Sequence, residues 1–269
     1  MKINFFGTWI DEQNETLQIE QITRFIHSNK AHFVTYSNVH VVVTAHKDAE
    51  LRHAVNEADI ASPDGKPMEF VARAKGLKSF RRCTGPDMML AVLKESEAKG
   101  YTNYFYGSTQ DTLDKLKDRL MKKYPNLKIL KMVSPPFRAL TQEEDQQIIE
   151  EINTLSPDLI WVGLGAPKQE KWMHQKRNQI TRGVMLGVGA AFDFHAQKIK
   201  RAPVWMQNAG LEWFHRLLSE PKRLLKRYLV TNTLFMIYLF KYGVSISQNG
   251  KSKNGQDKSE QSSEGESIQ

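Results

Sequence analysis

Asp64 is the carboxylate in this 269-residue sequence whose neighbours best suit it to act as a base. It sits in the run Ser62-Pro63-Asp64-Gly65-Lys66-Pro67, after Ala58-Asp59-Ile60-Ala61, which reads as a short buried strand. Pro67 suits the first turn of a helix opened by Met68-Glu69-Phe70-Val71, where its missing N–H is no loss. A strand-to-helix mouth is where alternating α/β chains bind ligands, and glycine beside the acid allows close approach. The same Pro-Asp-Gly also suits a plain turn, so the rest of the chain has to decide.

Groups able to meet a phosphate recur downstream. Arg82 lies in a basic run that passes through Thr84-Gly85-Pro86-Asp87 into a helix, whose unpaired N–H groups add to its charge. Three glycine turns follow strand-like runs: Gly107, then Gly163 with Gly165, then Gly187 with Gly189. Pro167 suits a helix start, and Lys168 and Gln169 are expected to project from its first turn, making a candidate diphosphate cradle. Asp193 has two readings, an acceptor for a base or ribose and a helix or turn cap. On a parallel sheet all of these would share one edge with Asp64.

Rival chemistries fit less well. Neither glycine run has the third glycine of a dinucleotide fingerprint, and no G-x-x-x-x-G-K-[ST] occurs. The eight histidines never form H-E-x-x-H, and there is no D-x-D pair. A single cysteine, Cys83, excludes an internal disulfide framework and a multi-cysteine zinc site, and fits a reducing cytoplasm. We therefore expect no metal and no cofactor. A departing diphosphate would be met by arginines and backbone N–H groups, each well-aimed donor being worth about 2.7–4 kcal/mol.

The elements that must position these groups follow from periodicity. Residues 2–6 read as a strand, Leu17, Ile19, Ile22, Phe25 and Ile26 as a helix face, and Ala31–Tyr36 as a strand, forming a first βαβ unit. Asn38 can cap a helix through Val39–Val43, although three consecutive valines also suit a buried strand. Strand-helix alternation continues to residue 197, with a capping box at Thr141–Glu144. This predicts an α/β fold: a mainly parallel, Rossmann-like sheet with helices on both faces. The expected domains are 1–197, an α/β catalytic domain; 198–246, a basic amphipathic appendage; and 247–269, a disordered tail.

The charge is unevenly spread. Lys and Arg number 38 against 30 acids, giving +8, and residues 198–227 alone carry eight cations against Glu212 and Glu220. Trp205, Trp213 and Phe214 interleave with these cations, and residues 228–240 are free of charge. Thirteen helical residues reach about 20 Å, short of the roughly 30 Å hydrocarbon core. That favours a segment lying on an anionic membrane surface. A helix packed on the core, a nucleic-acid surface and a homo-oligomer interface are the alternatives. Asp11 and Glu12 interrupt the opening before any apolar run long enough for a signal peptide, so the protein is expected inside the cell, peripheral to the membrane.

Taken in order, Asn38-Val39-His40, the Asp64 loop, Arg82 with Thr84-Gly85-Pro86-Asp87, Ser134-Pro135-Pro136-Phe137-Arg138, the Gly163 and Gly187 runs, Asp193, and Gly210-Leu211-Glu212-Trp213 resemble the WecG/TagA/CpsF glycosyltransferases over residues 30 to 230. The resemblance implies inverting, metal-independent transfer of N-acetylmannosamine or its uronic acid from a UDP-sugar to an undecaprenyl-diphosphate-linked N-acetylglucosamine. This would occur at the cytoplasmic membrane face, in polysaccharide assembly and with no nucleic-acid partner. Glucose or another hexose in exopolysaccharide assembly is the variant reading. The resemblance makes Asp64 the general base. Thr35 and Asn38 would position sugars, Arg82 and Gln169 would hold the diphosphate or donor sugar, and Asp193 and the glycine turns would line the nucleotide site. Arg216, Arg223 and Arg227 would close over the site and contact phosphates and membrane. One departure is Gln197, where the family usually has glycine, which leaves the shape of the following loop open.

Overall fold

The computed structural model describes residues 1–247. The chain opens with β1 (Lys2–Phe5) and β2 (Thr8–Asp11), an antiparallel hairpin turned at Phe6-Gly7. Helix α1 (Glu15–Ile26) follows, capped by the Asn14 side chain, and then β3 (Ala31–Ser37). The first strand is therefore not half of a βαβ unit: it pairs with β2 and never with β3. Its turn has Phe6 at φ 59°, a conformation that residue type does not announce.

Next come α2 (Val39–Lys47), α3 (Ala49–Asn56), β4 (Ile60–Pro63), α4 (Lys66–Ala74), α5 (Gly85–Lys99), β5 (Thr102–Gly107) and α6 (Gln110–Lys123). They are followed by β6 (Lys128–Val133), α7 (Gln142–Leu155), β7 (Leu159–Gly163), α8 (Lys168–Lys176), β8 (Gly183–Gly187) and α9 (Ala191–His195). The valine run is helical because the Asn38 carboxamide accepts from the Val41 N–H, and Val41, Val42 and Val43 are all buried. The expected capping box forms between Thr141 and Glu144.

Six strands make one parallel sheet in the order β4-β3-β8-β7-β5-β6. Alternate residues of its strands point into two cores. Trp161 and Leu186 pack with α1, α5, α6 and α9 on one face, while Ile160 and Met185 pack with α7 and α8 on the other. The predicted parallel α/β architecture is thus present. All of its strand ends face one edge, which is what gathers the candidate residues.

A buried polar knot holds the sheet's middle. The Asn103 carboxamide donates to the Ser96 hydroxyl (2.7 Å), Tyr101 O (3.1 Å) and Lys128 O (3.2 Å), and accepts from Trp161 Nε1 (2.9 Å). Replacing it strands donors and acceptors away from water. Asn103→Ala is expected to destabilise the fold by about 2–3 kcal/mol, read from the urea midpoint.

The C-terminal part consists of α10 (Val204–Asn208), α11 (Glu212–Ser219), α12 (Pro221–Tyr242) and β9 (Val244–Ser247). The charge-free stretch lies within the 22-residue α12, whose Thr231, Phe235 and Tyr238 are buried. Phe235 and Tyr238 join Phe5, Phe6 and the valines of α2 in a third core. The opposite face leaves Leu229 at 62% and Phe240 at 87% exposure. One face of the segment therefore packs on the core while the other is open. Strand β9 returns to pair with β1, so Ser247 belongs to a strand, and the rest of the expected tail lies outside the described residues. Among the described residues, no helix is long and apolar enough to cross a membrane.

Candidate active site

Asp64 follows β4 directly, and its N–H donates to Ser37 O (2.8 Å), fixing the loop to the end of β3. Its carboxylate accepts no hydrogen bond from the described residues and faces a cavity of about 360 Å³. Loss of solvent is the largest influence and Glu212 the next, together raising its pKa from 3.8 to about 7 against the opposing pull of Arg82 and Arg216. At that value the group takes up a proton readily near neutrality.

Four arginines of the expected site reach this cavity: Arg82, Arg216, Arg223 and Arg227. Arg82 enters from the segment before α5; its backbone N–H donates to Glu69 Oε2 (3.0 Å) and its Nη1 to Glu212 Oε2 (2.8 Å). Arg223 pairs with Glu220 at 2.7 Å. Arg216 and Arg227 make no ion pair among the described residues, and the Nε of each is buried without a partner. Arg216 instead lies 5.3 Å from the Phe194 ring centroid, and Arg227 lies 5.8 Å from that of Tyr228. Unspent donors of this kind suit an anion.

A second cavity, of about 1120 Å³, adjoins the first across Gly165, Gly189 and Arg223, over the ends of β5 and β7. Lys168, Lys198 and Lys200 line it together with Asp193 and the Pro135–Arg138 run. The Asp193 carboxylate accepts no hydrogen bond among the described residues, so it is no helix or turn cap, and burial raises its pKa. That leaves it open as an acceptor.

Several expected residues sit differently. Thr35 is fully buried, its Oγ1 without a partner, and it touches neither cavity; the pleat of β3 presents Tyr36 to the first cavity instead. Asn38 does line that cavity, but its Oδ1 is committed to capping α2. Gln169 does not project. Its Oε1 accepts from the Gly165 N–H (3.1 Å), and its Nε2 donates to Gly187 O (2.7 Å) and Glu170 Oε1 (2.9 Å). The amide thus fastens two glycine turns together as a wall of the cavity.

Gly107 lines neither cavity and lies against the Gly163 backbone, while Gly163 and Gly187 make room for the Phe192 ring and the Met173 methyl. Gly165, at φ 78°, shapes a turn bordering both cavities. Gln197 adopts φ 54°, so the loop keeps a backbone that glycine takes without strain.

Sequence reasoning left His40, Tyr36, Glu212 and Tyr228 without a role at the site, yet all four line the first cavity. His40 is pushed down to about 4 by burial and then by Arg227, so it stays neutral near pH 7. Only the Asn38-Val39-His40 and Gly210–Trp213 runs gave a signal. Among the described residues, no three His, Cys, Asp or Glu side chains converge as a metal-ligand set.

A parallel α/β sheet that brings a free carboxylate together with Arg216 and Arg227, both outside any ion pair among the described residues, suits proton transfer beside an anionic group, and the family match gives the class. The model of the WecG/TagA/CpsF glycosyl transferase family matches residues 3–249, so the chain belongs to that family and is a glycosyltransferase. It is similar to the N-acetylglucosaminyldiphosphoundecaprenol N-acetyl-beta-D-mannosaminyltransferase of Bacillus subtilis (strain 168), at 26% identity over 240 residues, covering 86% of this chain and 88% of that one. The enzyme of the same name from Staphylococcus aureus (strain MW2) is 25% identical over 225 residues, covering 83% and 87%.

Proposed function

We propose that the protein transfers N-acetylmannosamine, or its uronic acid, from a UDP-sugar to an undecaprenyl-diphosphate-linked N-acetylglucosamine, with inversion and without a metal ion. The observation that carries the reading is the uncommitted Asp64 carboxylate sharing a cavity with Arg216 and Arg227, neither in an ion pair among the described residues and each with its Nε buried and unpartnered. The names of the relatives support the acceptor and the sugar.

In this mechanism the acceptor hydroxyl gives its proton to Asp64 as its oxygen bonds to the anomeric carbon. The bond from that carbon to the UDP oxygen breaks, and its electron pair leaves with the diphosphate. Arg82, Arg216, Arg223 and Arg227 offset the charge that develops there, the role a metal ion plays in other transferases. The nucleotide takes the larger cavity, with Asp193 toward its ribose or base and Lys168 and Lys198 toward its phosphates. The Nδ2 of Asn38 remains available to a sugar hydroxyl.

Incubation with a panel of UDP-sugars and a short-chain polyprenyl-diphosphate N-acetylglucosamine tests the reading. A product heavier by one N-acetylhexosamine or its uronic acid, formed equally in the presence of a chelator, is expected. A gain of a plain hexose would support glucose transfer instead, and no gain with any donor would overturn the assignment.

In this reading the protein lies on the inner face of the membrane, and the exposed apolar face of α12 supports it. Leu229 and Phe240 supply apolar surface, and Lys222 and Lys226 lie on the same helix near its start. Changing Leu229 and Phe240 together to Glu is expected to reduce sedimentation with anionic vesicles about tenfold. Retained vesicle binding would exclude this face. Steep salt-dependent DNA binding with no vesicle preference would instead point to nucleic acid.

A further inference from the structure

Glu212 stands between the C-terminal helices and the reacting centre. Its Oε2 accepts from Arg82 Nη1 at 2.8 Å and its Oε1 from Arg201 Nε at 3.2 Å, and its side chain is only 17% exposed. Arg201 is in turn anchored on Asp87 at the start of α5, with Nη1 to Oδ1 at 2.5 Å and Nη2 to Oδ2 at 2.7 Å. Arg82 Nη2 lies farther from Asp87, at 3.8 Å. Two arginines and two carboxylates are thus paired among themselves. Asp64, in the same cavity as Arg82 and Glu212, is left out of the pairing.

We propose that Glu212 is a positioning residue for the transfer: by holding Arg82, and being braced by Arg201, it keeps the guanidinium off Asp64 and leaves that carboxylate unpaired. The inference rests on Asp64 being the base. Without Glu212, Arg82 has in its cavity the uncompensated Asp64, since Asp87 is already held by Arg201, and an Asp64–Arg82 pair is a poor proton acceptor. Because Glu212 opens α11, the base acquires its working state only when the C-terminal helices are seated on the sheet edge.

The groups around Asp64 make this readable by pH. From β3 and the segment before α5, Tyr36 and Cys83 are both held up by burial, Cys83 to about 12, so they stay neutral. From α2, His40 is neutral above about 4. From α5, Asp87 is held below the usual range by Arg201 and Thr84 against its burial, so it stays ionised. Arg82, Glu212 and Arg216 act on Asp64 directly, and Lys66, paired with Glu69, shares its cavity with Arg223 and Arg227, whose side chains stay cationic across this range. Elsewhere, Glu170 behind Gln169 is pushed up to about 7 by burial, and Asp193 is raised in the second cavity, but neither touches Glu212. A limb that moves when Glu212 alone changes therefore belongs to Asp64.

The test measures kcat/KM from pH 5 to 8.5 for the full-length wild type, Glu212→Gln and Glu212→Asp, with Asp64→Asn alongside. Glu212→Gln is expected to move the acid limb down by about one pH unit and to lower the plateau kcat several-fold. Glu212→Asp keeps the charge but cannot span to Arg82, and is expected to move the limb the same way by about half as much. If Asp64→Asn abolishes transfer while the limb stays put in whichever Glu212 variants fold, the positioning role is wrong and the base assignment stands. Should Asp64→Asn keep full activity, both fall together.

Discussion

Asp64→Asn is expected to lower the turnover of sugar transfer by about 10²- to 10⁴-fold, with affinity for the proposed UDP-sugar donor nearly unchanged. The amide keeps the shape of the side chain and loses only the ability to take a proton, so the loss should appear in kcat rather than KM. The same substitution carries a second signature. In the native state the acid is raised from 3.8 to about 7, so its protonated form is favoured over the unfolded chain's. The folded state therefore binds more protons than the unfolded one between about pH 4 and pH 7, and stability falls as pH rises through that window. At 1.36 kcal/mol per unit the full gap is about 4 kcal/mol, an upper bound because the cavity admits water. Asp64→Asn should consequently melt at a higher temperature than wild type at pH 8, with the difference vanishing below pH 4. An inactive variant that is also the more stable one is the mark of a carboxylate held against its own stability for function.

Gly107→Ala carries the largest expected cost to the fold. A Cβ at Gly107 would lie 2.5 Å from Gly163 C and 2.6 Å from Gly163 O, at a backbone φ of +127° that side chains avoid. Backbone cannot swing aside as a flexible side chain would, so β5 and β7 must separate where they are paired at Gly107↔Gly163. Strain and overpacking together should remove about 3 kcal/mol, read from thermal or urea unfolding. Because these strand ends border the larger cavity, the donor KM is expected to rise in whatever protein folds.

The resemblance and the strand-helix alternation made the sheet edge legible because both are local. Asp64 could be placed from its strand, its glycine and Pro67 alone, and the helix at Thr141–Glu144 announced itself through its own cap. What stayed hidden depends on partners far along the chain. Strand β9 is four residues, Val-Ser-Ile-Ser, and means nothing until Lys2 lies opposite Ser247. The burial of Thr231, Phe235 and Tyr238 follows a helical spacing that made core packing only an alternative to the membrane reading, because a charge-free run suits both. Gln169 turns inward because Gly187 O, eighteen residues on, claims its amide. Thr35 and Tyr36 differ only by the parity of one strand, and motif matching does not register which face a pleat presents.

The most direct measurement is the anomeric configuration of the transferred sugar, read by NMR on the purified lipid-linked product. A single displacement driven by Asp64 predicts the configuration opposite to that of the donor. Retention of the donor's configuration would require a second displacement, and would contradict Asp64 acting as the base that delivers the acceptor oxygen.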